Sequence, residues 1–352
     1  MCKDRKKSNH KDEHLLKLVE TSILPLYNLE NAKVEQIKIK YTEKHRAVYK
    51  VSLRDKIYCL KKVYYSEENL LFVYSAVQWL FKKGFTVPNF IFSINREPFV
   101  SVDNFLFILT PWLEGTKCDF GTQPCFENTL KTLAILHESS RDFKPIKGSY
   151  IRENFNNLYI STNKHFIKLL ECFNEAQKRK DKFSKLFLKN FDDNIELAKF
   201  SLEISSTINF ENLSRSLCHG DYVSKNLICK DNNIGIIDFD KCSLNYSIFD
   251  LSYFFRRLLK RKESTWDLET AKKALLIYNQ HSKCTKDDIK YLLAYISFPQ
   301  KYWRISKDYF NNIKKCNKHA FLDMLNNTSK TVCIQKKFAF DFYKFCVETF
   351  EI

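Results

Sequence analysis

Five polar residues crowd one short stretch of this chain, "SLCHGDYVSKNLICKDNNIGIIDFDKC" at 216–242: His219, Asp221, Asn226, Asp238 and Asp240. Carboxylates set among apolar, β-branched runs are costly to bury unless they are paired or hold a cation. Their spacing offers such a use. Asp221 and Asn226 are five apart, in what reads as a loop before the strand "NLIC", and a turn at Asp231–Asn233 sends the chain back along "IGIIDF". A hairpin of that kind brings Asn226, at one strand's start, near Asp238, at the other's end. Two oxygen ligands then converge and leave positions for water and phosphate oxygens, as Mg²⁺ prefers. Asp221 sits beside them, free to accept a proton from an attacking hydroxyl. The chemistry implied is phosphoryl transfer, which also asks for a strand lysine on the nucleotide phosphates. Lys61, in "YCLKKV", lies in the third strand-like run of the chain, where such a lysine belongs.

Taken singly, these features are weak. HxD and DxD triplets are common, and most Asp–Asn loops are solvated turns with side-chain-to-backbone bonds. Their conjunction, in order and separated by a change of architecture, is what points to chemistry. His219 reads as a packing residue that hydrogen-bonds the loop backbone rather than as a reactant. Asp250, in "FDLSYFF", reads as the cap of the following helix and an anchor for the loop. Asp240 is either a second metal contact or a turn residue, and His137, on an apolar helical face, reads as a core histidine.

The elements that must position these residues fall into two regions. After a polar start of 13 residues expected to be flexible, "LLKLVETSIL" reads as a short helix ended near Pro25. "VEQIKIKY", "RAVYKVSL" and "IYCLKKVYY" alternate as strands, with Asp55–Lys56 as the turn between the last two. A helix follows, capped by Ser66, with Glu67 and Glu68 in its first turn, Gly84 at its end and Leu70, Tyr74, Val77 and Phe81 as its buried stripe. "PNFIFSI" and "NFLFILTPWLEG" read as two more strands. Beyond Gly115 the chain turns helical except at 216–240. The expected organisation is an α+β, two-lobed fold: residues 1–112 form a small antiparallel-sheet lobe with one main helix, and 113–352 a larger helical lobe carrying the catalytic hairpin.

Composition narrows the alternatives. With 44% hydrophobic and 15% aromatic residues, 352 residues can build a packed interior. The formal net charge of +17 could serve nucleic acid, but only 12 of the 58 basic residues are Arg, and the Lys-rich remainder reads as compositional bias spread over the surface. Nucleic acid is therefore disfavoured as a partner. The 12 cysteines include no C-x-x-C pair, and Cys59, Cys218 and Cys229 lie in apolar runs, which suits a reduced cytosolic protein. No signal peptide or membrane-spanning run is expected.

"CHGDYVSKN", "IIDFD" and "FDLSYF" resemble the aminoglycoside phosphotransferase/choline kinase-like superfamily, where HGD stands for the HRD of protein kinases. Within it, "YCLKKVYYSEENLLFVYSAVQWLFKKGF", "TPWLEG", "LAILHESS" and "LLAYISFPQKYWRISKDYF" resemble the CotS-type spore coat proteins, over roughly residues 33–312. The resemblance implies a protein-kinase-like fold binding Mg–ATP, a hinge near Pro111–Gly115, and a place in the mother-cell cytoplasm and spore coat, with other coat proteins as possible partners. Carried over by position, Asp221 is the base, Asn226 and Asp238 hold magnesium, and Lys61 meets the phosphates. Two departures stand out. "YTEKHRA" has no glycine to cradle phosphates, and the helix lacks an obvious mid-length Glu for Lys61, leaving Glu67 or Glu68 as substitutes.

The function expected is ATP-dependent phosphorylation of a small-molecule hydroxyl. The alternative is a catalytically weak or inactive kinase-fold component of the coat. A basic protein is a poor match for polycationic aminoglycosides, so anionic or neutral acceptors fit better. Tyr302 and Trp303 could line the acceptor pocket, but core packing is the stronger reading for both.

Overall fold

The computed structural model describes residues 14–40 and 46–352. The first 13 residues, and the glycine-free loop at 41–45, lie outside the described residues. The chain forms two compact units. One holds residues through Cys118, with Asp142–Arg152 and Ser224–Cys242; the other holds Asp119–Arg141, Glu153–Val223 and Ser243–Ile352.

In the first unit, α1 (residues 14–18) runs into a π-turn, Val19–Ile23, and a 3₁₀ turn, Leu24–Tyr27, so the expected helix continues through Pro25 rather than stopping there. Pro25 is tolerated because it occupies the first turn, where its missing N–H breaks no bond. β1 (Lys33–Lys40), β2 (Arg46–Leu53), β3 (Lys56–Val63), β4 (Val100–Val102) and β5 (Phe105–Pro111) make an antiparallel sheet in the order β1-β2-β3-β5-β4. Ala47, Tyr49 and Val51 alternate into a core with Leu60, Phe107 and Leu109, the two-residue period of a half-buried strand. The β2–β3 turn falls on Arg54–Asp55, one residue earlier than expected, with Arg54 at φ +53°.

The run "PNFIFSI" is not a ladder strand. Its Ile91 N–H reaches Leu109 O at 2.8 Å, but the hairpin partner of β5 is β4, which the sequence reading missed. Asp103 and Asn104, both left-handed, close that hairpin, using side chains that tolerate φ > 0. α2 (Glu67–Lys82) ends in a Schellman motif: Phe85 N–H donates to Leu80 O and Gly84 N–H to Phe81 O, with Gly84 at φ +85°. Its buried face carries Leu70, Val73, Val77 and Leu80, so Phe81, placed in the stripe from sequence, is instead 50% exposed. The remaining sheet of this unit is β6 (Thr116–Lys117), β8 (Leu227–Lys230) and β9 (Asn233–Ile236), in the order β6-β8-β9.

The second unit is helical around a two-stranded ribbon of β7 (Arg215–Cys218) and β10 (Ser243–Tyr246). α3 (Gln123–Ser139) buries Phe126, Leu130, Leu133, Ala134 and His137 on one face. α4 (Leu158–Gln177), α5 (Lys182–Lys189) and α6 (Phe191–Ser206) follow. After the ribbon come α7 (Ser247–Leu258), α8 (Leu268–His281), α9 (Lys286–Ser297), α10 (Gln300–Asn311), α11 (Lys318–Ser329) and α12 (Val332–Phe350). Tyr302 and Trp303 belong to the core, where Tyr302 stacks on Phe187 at 5.0 Å and donates to its carbonyl. A capping box at Thr285 and Asp288 starts α9, and Asp288 also accepts from the Ser214 N–H at 3.2 Å, fastening the entry to β7. Among the described residues no helix is long and apolar enough to cross a membrane, and the described cysteines are free thiols.

Candidate active site

The sheet and the hairpin of the first unit build an ion-pair cluster. Lys61 lies on β3 opposite Val48 of β2 and Ile108 of β5, central strands that hold its backbone on both sides. Its Nζ donates to Asp240 Oδ1 at 2.6 Å and to Asp238 Oδ1 at 2.8 Å. Burial works against the ammonium, but the carboxylates of Asp240 and Asp238 outweigh it and hold its pKa above the ordinary lysine value. The pairing corrects the expectation about Glu67 and Glu68: among the described residues the carboxylate partners of Lys61 are Asp238 and Asp240. Glu68 instead sits at the exposed start of α2, its carboxyl held low first by its own backbone N–H and then by the Ser66 hydroxyl.

Asp240 is thus more than a plain turn residue: it is an ion-pair partner of Lys61. It lies in a 3₁₀ turn, Phe239–Lys241, and its side chain is 5% exposed. Tyr65 donates its hydroxyl to the same Oδ1 at 3.3 Å, and Arg152 donates to the Asp240 carbonyl at 2.8 Å and to Asn69 Oδ1 at 2.9 Å. The guanidinium also lies over the Tyr65 ring at 4.7 Å. Neither Tyr65 nor Arg152 was singled out from sequence. Arg152 lies 88 residues from Asp240, and no local pattern marks such a contact.

The β8–β9 hairpin turns through Asp231–Asn232, both at positive φ. Its register pairs Leu227 with Ile236, and the Ile237 N–H donates to Asn226 O at 2.9 Å. Asn226 and Asp238 therefore flank one end of the hairpin. Asp238 is left-handed at φ +67°, a conformation Asp tolerates better than most residues. An amide oxygen and a carboxylate, with a second carboxylate beside them, are the hard oxygen donors that suit a magnesium-like cation.

Asp221 belongs to the second unit, three residues before the chain passes into the first at Ser224. Its loop is tied down by Asp250. Asp250 does not cap α7, whose N-cap is Tyr246; it sits inside the first turn and is fully buried. Its two oxygens accept from the His219 N–H at 2.6 Å and the Gly220 N–H at 2.9 Å. His219, 1% exposed, accepts from the Asp221 N–H on Nδ1 at 3.2 Å. Behind them, His137 shares a 2.7 Å hydrogen bond with the Tyr278 hydroxyl, and its Nε2 lies 3.6 Å from Asp250 Oδ2. Burial, reinforced by Asp250, pushes the neighbouring Cys218 thiol well up, so it stays protonated. Tyr253, one turn beyond Asp250 on α7, donates to Asp221 Oδ1 at 3.4 Å. The sequence reading missed Tyr253, although its i+3 spacing from Asp250 could have marked it.

The family model for phosphotransferase enzymes matches residues 45–281. Among solved structures, the chain is similar to an aminoglycoside phosphotransferase from Alicyclobacillus acidocaldarius, with 18% identity, a TM-score of 0.75, and coverage of 91% of this chain and 94% of that one. It is also similar to spectinomycin phosphotransferase APH(9)-Ia, solved with ADP and spectinomycin (16% identity, TM-score 0.61, coverage 92% and 98%). A third is the amicoumacin kinase hAmiN, solved with AMP-PNP and Ca²⁺ (16% identity, TM-score 0.60, coverage 96% of each chain). At these identities the likeness to solved structures is one of fold.

Proposed function

The chain belongs to the phosphotransferase enzyme family, and from that premise we propose that it transfers the γ-phosphate of ATP to a hydroxyl of a small molecule. The observation that carries the reading is the cluster of Lys61 with Asp238 and Asp240, at 2.8 and 2.6 Å. In this reading Lys61 meets the nucleotide phosphates, and Asn226 and Asp238 hold Mg²⁺, which when bound neutralises phosphate charge. Asp240 keeps Lys61 in place from the buried side. Asp221 takes the proton of the acceptor hydroxyl, its position set by Asp250 through the His219 and Gly220 N–H groups. ADP in one protein of the same fold, and AMP-PNP with Ca²⁺ in another, support the cofactor assignment. On the resemblance to CotS-type proteins, we propose the mother cell and spore coat as the place of this activity.

A second reading, an inactive kinase-fold component of the coat, is favoured by one feature. Two of the three N–H donors of Lys61 are already taken by carboxylates, an arrangement that holds the cluster together without a nucleotide. Thermal unfolding with and without Mg–ATP separates the two. Nucleotide at a hundred times its dissociation constant adds about 2.7 kcal/mol. A magnesium-dependent rise in melting temperature that Asp238→Asn abolishes supports transfer chemistry. No rise up to millimolar Mg–ATP leaves the structural reading standing.

A further inference from the structure

Three side chains from separate elements of the second unit bring donor atoms together behind the loop of His219 and Asp221. His137 lies on α3, Cys218 ends β7 and Asp250 sits in the first turn of α7. One ligand atom from each lies within 4.8 Å of the other two: an imidazole nitrogen, the thiol sulfur and a carboxylate oxygen. His137 Nε2 and Asp250 Oδ2 are 3.6 Å apart. All three residues are buried, at 1%, 0% and 0% exposure.

The unexplained atom here is His137 Nε2, which is buried and has no hydrogen-bond partner among the described residues. The other ring nitrogen, Nδ1, shares its 2.7 Å bond with the Tyr278 hydroxyl. In the tautomer whose Nδ1–H donates to the phenol oxygen, Nε2 turns its lone pair toward a carboxylate, which burial penalises unless a cation lies between them. A histidine that ligates a metal keeps such an outer partner on its second nitrogen. Nitrogen and sulfur donors select zinc over magnesium. With a divalent cation, one thiolate, one carboxylate and one neutral imidazole sum to zero charge, as burial requires. Asp250 keeps lone pairs beyond those that accept from the His219 and Gly220 N–H groups. Ligands around a tetrahedral zinc stand about 3.3–3.6 Å apart, so the His137–Asp250 spacing already matches and the widest pair closes by about 1 Å.

We propose that His137, Cys218 and Asp250 form a structural metal site for Zn²⁺, with the fourth position left to a water molecule. Without the cation, the Cys218 thiol donates to the Tyr246 carbonyl at 3.4 Å. Loading exchanges the S–H bond for a Zn–S bond and releases that proton to solvent; nothing is oxidised or reduced. The cation ties α3, β7 and α7 together at Asp250, the residue from which the His219 and Gly220 N–H groups hang, and so braces the Asp221 loop from behind. The inference stands apart from the phosphotransferase reading, because none of its three ligands is assigned to nucleotide or acceptor.

The test is the metal content of the full chain, produced in zinc-supplemented medium and dialysed against metal-free buffer. About one zinc per chain is expected for a single three-ligand site, and a chelator should lower the urea midpoint. His137→Asn keeps an amide at the Nδ1 position for Tyr278 and removes Nε2, and Cys218→Ser removes the thiolate. Loss of an outer partner costs about 10–100-fold in metal affinity, so loss of either ligand should cost at least as much. Chain loaded with Co²⁺ instead should show near-ultraviolet charge transfer of single-thiolate intensity, absent in Cys218→Ser. Zinc held equally by both variants, or cobalt absorption of several thiolates, overturns the inference in favour of adventitious binding at other cysteines. A chain that takes up neither metal overturns it in favour of a proton shared between His137 and Asp250. The cobalt intensity is read on the natural chain, so it decides even where a variant does not fold.

Discussion

Replacing Lys61 by Met tests the central cluster through stability alone, without knowledge of any substrate. The Lys61 side chain is 14% exposed and Asp240 5%, with the ammonium 2.6 Å from one carboxylate and 2.8 Å from the other. Removing one partner of a buried pair costs about 3–5 kcal/mol, because the remaining charge is left without compensation. Asp238 is 36% exposed and regains water, so the lower end, about 3 kcal/mol at neutral pH, is expected. Without the cation, Asp238 and Asp240 face each other as like charges. Asp240→Asn added to Lys61→Met should therefore recover part of the loss. Urea midpoints at pH 7 measure both quantities. A loss under about 1 kcal/mol that is additive with Asp240→Asn would refute the argument.

Three further outcomes follow from other parts of the chain. Asp250→Ala leaves the His219 and Gly220 N–H groups without their carboxylate, at about 1–3 kcal/mol for each donor left unsatisfied; Asp250→Asn, which keeps one acceptor oxygen, should lose less in the same denaturation experiment. Gly115 sits at φ +135°, and a Cβ there would meet the Cys229 carbonyl oxygen at 2.5 Å, so Gly115→Ala should cost about 2 kcal/mol or more. Gly84→Ala, with open space around it, should cost only about 1 kcal/mol, a difference visible in melting temperatures. His165, against the Trp303 ring at 3.7 Å, has its pKa lowered to about 4 by burial and then by Lys307, Arg256 and Lys164. A depressed folded pKa places its stabilising share above the unfolded value near 6.5 and loses it as pH falls toward 4. His165→Phe should flatten that part of the stability profile.

What the sequence determined by itself is local. Alternation along β2, the Gly84 stop of α2, and the Asp231–Asn232 turn that sets Asn226 and Asp238 at one end of a hairpin all depend on neighbours a few residues apart. Their physics is backbone conformation and short-range periodicity, which letters encode directly. Where that local signal was ambiguous it failed: "PNFIFSI" has strand composition, but its place beside β5 is taken by the shorter Val100–Val102. What only the tertiary structure decided is which charges meet. Lys61 could have been served by Glu67 or Glu68 nearby in the chain, yet it pairs with Asp240, 179 residues away. Tyr253 reaches Asp221 because packing carries separate segments together. An ion pair forms with whichever partner shares its desolvated volume, and that volume exists only once the chain has folded.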